Sequence, residues 1–112
     1  MAVEYTADHI HLRSPDPEAA AAFYVENLGA KEATRVQVNG ALRIILDLGA
    51  FRLFVEQVPA DTARPPEPPF LGIAHIGLGV NDLDAAVVAL KSRGVRFTTE
   101  PRQARPGVRI AF

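Results

Sequence analysis

The feature that most constrains this chain is an internal repeat. Asp8-His9-Ile10-His11-Leu12 lies over Ala74-His75-Ile76-Gly77-Leu78 at an offset of 66 residues. The same offset carries Asp16 onto Asp82, Glu18 onto Asp84, Ala19 onto Ala85 and Ala20 onto Ala86. Leu28-Gly29-Ala30 meets Arg93-Gly94-Val95 after a slip of one residue. In 112 residues, each copy is too short to bury an apolar face by itself. The repeat therefore predicts two half-modules packed together as one structural domain.

Both copies read the same way at first. A strand is expected over residues 7–13. Asp16 follows as a helix N-cap, with Pro17 at the first helical position and Glu18 at the positive helix end. The helix is expected to run to Asn27, to be anchored on a sheet by Phe23, and to stop at Gly29. Strands are then expected over 33–38, 41–47 and 51–58. Asn39-Gly40 is a strong hairpin signal, and Gly49-Ala50 is a second turn. In the second copy, a strand over 73–79, a helix over 82–93 and a strand over 95–99 are expected. A loop with Pro101, Pro106 and Gly107 follows, then a strand from Val108. The modules thus cover 1–58 and 72–112, and the second has one strand fewer than the first. Residues 59–71, with Arg64-Pro65-Pro66-Glu67-Pro68-Pro69, read as a stiff extended linker.

Composition excludes several functions. Twelve Lys and Arg against thirteen Asp and Glu leave a formal charge of −1, so there is no basic footprint for nucleic acid. Without cysteine, disulfides, thiolate metal sites and a cysteine nucleophile are excluded. No apolar run approaches the ~20 residues of a membrane span, and Met1-Ala2-Val3-Glu4 does not look like a signal peptide. A cytoplasmic location is the expectation. No Gly-rich phosphate loop and no hydrolase-like Ser-His-Asp order is present; Ser14 and Ser92 read as helix-terminus residues.

The tandem β-α-β-β-β pattern resembles the vicinal oxygen chelate superfamily of glyoxalases, bleomycin resistance proteins and dioxygenases. The resemblance is carried by His9-Ile10-His11-Leu12, by Ala22-Phe23-Tyr24 followed by Asn27-Leu28-Gly29, by Ala74-His75-Ile76-Gly77-Leu78-Gly79-Val80, and by Pro106-Gly107-Val108-Arg109-Ile110-Ala111-Phe112. It implies an α+β fold in which two βαβββ half-modules form half-open sheets around a cavity. It also implies that the final strand of the second half is missing here.

In metal-containing relatives, each half places one His on its first strand and a carboxylate or amide on its last. The resemblance therefore marks His9 and His75, at repeat-equivalent positions, as metal ligands, with Zn, Ni, Mn or Fe as the implied ion. Glu56 is the candidate third ligand and the candidate proton shuttle. Matching the family's Ile-Glu-Leu to Leu53-Phe54-Val55 puts Phe54 at the ligand position instead, and the two alternatives stay open. The repeat-equivalent of Glu56 falls beyond Phe112. His11, Phe54 and Arg43 are candidate cavity residues. Tyr24 is read as packing, and Arg102, Arg105 and Arg109 as a solvated loop.

Two activities are compatible with this set. The first is a glyoxalase-like lyase or isomerase, of the glyoxalase I or methylmalonyl-CoA epimerase type, acting on a carbonyl or thioester through a metal-stabilised enediolate. The second is a metal-free, bleomycin-resistance-like protein that binds a small molecule. An extradiol-type dioxygenase is a further alternative. The resemblance also implies a homodimer.

Overall fold

A computed structural model describes residues 2–112. The chain divides into two compact units, Met1–Arg64 and Pro65–Phe112.

The first unit is β1 (His9–Ser14), α1 (Pro17–Leu28), β2 (Lys31–Val38), β3 (Ala41–Leu48) and β4 (Phe51–Gln57). The strands form one open mixed sheet in the order β1-β4-β3-β2. β1 runs parallel to β4, and the other two pairings are antiparallel. The turns set this register. Asn39 and Gly40 take φ of 51° and 80°, the left-handed pair that a two-residue hairpin turn requires. Gly49 at φ 60° opens the turn that places Leu48 opposite Phe51 and, five steps on, Arg43 opposite Glu56.

The core lies on one face of this sheet. Ile44, Leu46, Leu53 and Val55 are fully buried, and full burial of each such side chain stabilises by about 1.5–3 kcal/mol. Helix α1 covers this face. Asp16 caps it, accepting from the Ala19 amide at 3.0 Å, and Gly29 ends it at φ 73°. The buried stripe of α1 differs from the expected one. Pro17 and Ala21 are buried and Ala20, Tyr24 and Leu28 are half-buried, whereas Phe23 is 44% exposed. The anchoring stripe is therefore rotated by about one residue, and Phe23 packs edge-on against Tyr24 rather than into the sheet.

The second unit contains α2 (Leu83–Ser92), β5 (Arg102–Arg105) and β6 (Val108–Ile110). Asp82 repeats the role of Asp16, accepting from the Ala85 amide at 3.0 Å. Three expectations differ here. Residues 101–107 are not a plain loop: β5 and β6 form an antiparallel hairpin turned at Pro106-Gly107, with Gly107 at φ 77°. Residues 95–99 are not a strand, although the Thr98 and Thr99 amides donate to the Phe112 carbonyl and the Phe112 amide donates to Thr99, at 2.7–3.0 Å. Residues 73–79 are extended but belong to no ladder among the described residues. The reason is pairing. Among the described residues, β1 of the first unit is held by β4, and no segment of the second unit takes the equivalent place beside 73–79. Residues 59–71 carry neither helix nor strand.

Candidate functional site

Period-two alternation sends every second side chain of β1, β3 and β4 away from α1. On β1 these are His9, His11 and Arg13; on β4, Arg52, Phe54 and Glu56; on β3, Arg43, Ile45 and Asp47. The register makes them cross-strand neighbours: His9 faces Arg52, His11 faces Phe54, and Arg13 faces Glu56, which also faces Arg43. Five of the six candidates from the sequence, His9, His11, Arg43, Phe54 and Glu56, thus share one face of the first unit. Phe54 and Glu56 both point to it. Gln57 points the other way, where its Oε1 accepts from the Leu42 amide.

Two groupings occupy this face. In the first, the rings of His9 and Phe54 are stacked, with centroids 4.0 Å apart and planes 7° from parallel. Behind them the His9 Nδ1 is 2.7 Å from the Asp8 carboxylate. That hydrogen bond fixes the proton on Nδ1 and leaves the Nε2 lone pair free. In the second grouping, the Glu56 carboxylate accepts from Arg43 Nη2 at 2.5 Å. His11 Nε2 lies 3.4 Å away and Arg13 Nε 3.7 Å away. The Arg43 hydrogen bond, supported by the charges of Arg43, His11 and Arg13, holds the Glu56 carboxyl below the usual carboxylate range. Arg43 is itself half-buried, and its Nε has no hydrogen-bond partner among the described residues.

The sixth candidate, His75, belongs to the second unit. It is exposed there and meets the Phe112 ring edge-on, with centroids 5.0 Å apart. Each repeat-equivalent His therefore packs against a phenylalanine of its own unit. The second unit also has a hollow of about 1060 Å³ between residues 75–84 and 107–112. Arg109 lines it and makes two hydrogen bonds to Asp84, at 2.9 and 3.1 Å.

The metal expectation can be tested on the donors of the first unit. His9, with Asp8 behind it, is oriented as metal-bound imidazoles commonly are. Glu56 is not available in the same way, because its carboxylate is paired with Arg43, and Phe54 fills the place beside His9. Among the described residues, no three His, Cys, Asp or Glu side chains of either unit are grouped to hold a metal ion. The first unit alone does not fit a complete metal centre.

Sequence reasoning passed over three residues on or beside this face. Asp8 adjoins His9, and its signal was simply adjacency to a candidate histidine. Arg13 follows His9 and His11 at the strand period, which already placed it with them. Arg52, bonded to Asp47 at 2.8 Å, needed the β3–β4 register to be seen. Tyr24 is half-buried, as expected of a packing residue, and burial raises its hydroxyl pKa.

Comparison with known proteins agrees with this architecture. The model of the Glyoxalase/Bleomycin resistance protein/Dioxygenase superfamily matches residues 6–112. Human mitochondrial methylmalonyl-CoA epimerase is 31% identical over 102 residues; the match covers 83% of this chain but only 56% of that protein. The chain thus spans just over half the length of this curated relative. The crystal structure of a glyoxalase family protein from Enterococcus faecalis superposes with a TM-score of 0.75 at 23% identity, covering 97% of this chain and 86% of that one. TnmS3, an antibiotic binding protein from Streptomyces sp. CB03234, superposes with a TM-score of 0.66 at 21% identity, covering 93% and 81%. With a family match across nearly the whole sequence and the β-α-β-β-β sheet in place, the chain belongs to the Glyoxalase/Bleomycin resistance protein/Dioxygenase superfamily.

Proposed function

We propose that the chain is a small-molecule-binding member of the superfamily and that the face bearing His9, His11, Arg43, Phe54 and Glu56 is its binding surface. One observation carries this reading: the stacked His9–Phe54 rings stand beside a carboxylate already neutralised by Arg43. A flat ring surface with a few fixed polar groups suits an organic ligand. A carboxylate engaged by a guanidinium is a poor metal donor and, held ionised, a weak proton acceptor. The likeness to an antibiotic binding protein is compatible with the reading but supports the fold alone.

The test is a fragment screen followed by NMR mapping. Binders should perturb His9, His11, Ile45 and Phe54, and Phe54→Ala should weaken them roughly tenfold, the worth of one aromatic contact. Perturbations confined to other surfaces, or none at all, would overturn the reading.

The Asp8–His9 hydrogen bond favours a second reading, a metal-dependent lyase or isomerase. The 31% identity to methylmalonyl-CoA epimerase points the same way. A divalent ion there would polarise a substrate carbonyl. Elemental analysis after exposure to Zn, Ni, Mn and Fe separates the two. Near-stoichiometric metal that is lost in His9→Ala would favour the lyase. Ligand binding that is indifferent to a chelator would favour the binder.

A further inference from the structure

The charges around Glu56 do not balance. One carboxylate faces two guanidiniums, Arg43 and Arg13, with the His11 imidazole beside them. Arg43 makes the close bond. Arg13 stands 3.7 Å off, 69% exposed, and makes no hydrogen bond among the described residues. The cluster thus has at least one positive charge in excess, and the guanidinium that carries it faces solvent with its donors open. An Arg fork in this state is matched by a carboxylate or phosphate.

The other end of the same strand carries the ring stack. His9, His11 and Arg13 alternate along β1, so about 13 Å of strand separates the first and last backbone positions. The face therefore offers a flat ring surface at one end and an unmatched cation at the other.

We propose that the ligand of this face is an aryl acid: a planar ring that packs on the His9–Phe54 stack, joined by a short spacer to an anionic group that Arg13 takes. The inference rests on the binding reading above and narrows it to a ligand class. His11 lies between the two ends and faces the spacer.

Three probes of one shape test it: 4-phenylbutyrate, 4-phenylbutyramide and 4-phenylbutylamine, titrated against the full chain by NMR. The carboxylate should bind at least tenfold more tightly than the neutral amide, and the amine should bind most weakly. In Arg13→Gln the preference for the carboxylate over the amide should fall below threefold. Arg13 is exposed, so the substitution leaves the core intact. Benzoate, which has no spacer, should show no such preference. If the amide or the amine binds as well as the acid, the ligand class is wrong while the binding face stands. If none of the three perturbs His9 or Phe54, the binding reading fails and the inference falls with it.

Discussion

The Phe54 ring lies flat on the His9 ring, 4.0 Å between centroids and 7° from parallel. The contact crosses from β4 to β1, and parallel pairing places the two side chains diagonally on one face. It fixes the imidazole from one side while Asp8 fixes it from behind. The candidate ligand histidine is thus oriented by an aromatic ring and a carboxylate.

This orientation sets the tautomer of His9. In neutral His9 the proton should sit on Nδ1, where Asp8 Oδ2 accepts it at 2.7 Å. Long-range proton–nitrogen spectra of the neutral ring should show the Nδ1–H form. Asp8→Ala should move the population toward Nε2–H, the form otherwise preferred. An unchanged tautomer would mean the Asp8 contact does not hold in solution.

The Glu56–Arg43 pair predicts a pH-dependent contribution to stability. The Arg43 hydrogen bond lowers the folded-state pKa of Glu56. A carboxyl lowered on folding contributes stability that is fully present above its unfolded pKa of about 4.3. That contribution is lost as pH falls through the lower folded value. Glu56→Gln should therefore melt below the parent protein at pH 7, and the gap should narrow below about pH 4. Thermal unfolding monitored from pH 7 to pH 3 measures it, and a gap constant across that range would contradict the assignment.

Neighbouring residues on β4 should respond in opposite ways. Leu53 is fully buried under α1, so Leu53→Ala should cost about 2–5 kcal/mol in urea unfolding. Phe54 is half-buried on the far face. Phe54→Ala should cost less in stability and weaken the ligands that perturb His9 roughly tenfold. The pair separates what holds the sheet from what the sheet presents.

The first unit was legible because its signals are local. The two-residue turns at Asn39-Gly40 and Gly49-Ala50 mark where the strands reverse, and in the structure they set the register that puts Ile44 and Leu46 on one face of β3 and Arg43, Ile45 and Asp47 on the other. Two features were not legible for physical reasons. Residues 73–79 have the composition of a strand, but a strand also needs a neighbour to bond, and composition does not supply one. Phe23 has the size of a core anchor, yet a rotation of about one residue in α1 gives the buried stripe to Ala20, Ala21 and Tyr24. The site was legible as a list of residues; the state of Glu56 was not, because it depends on the Arg43 hydrogen bond across strands.

The repeat also makes a matched pair of predictions about helix capping. Asp16 and Asp82 each accept a hydrogen bond from the amide three residues on, both at 3.0 Å, and so satisfy one of the free donors at a helix start. Asp16→Ala and Asp82→Ala should each cost about 1 kcal/mol, within the usual 0.5–2 kcal/mol for such caps. Each should act on its own helix: amide exchange should quicken at Ala19 and Ala20 in the first variant, and at Ala85 and Ala86 in the second. Asn in either place keeps an acceptor oxygen and should restore most of the loss. A negative charge is not what the cap requires, since Glu18 and Asp84 already supply one to each first turn. Rescue by Asn would assign the effect to the hydrogen bond. Failure of Asn to rescue would assign it to charge at the helix end.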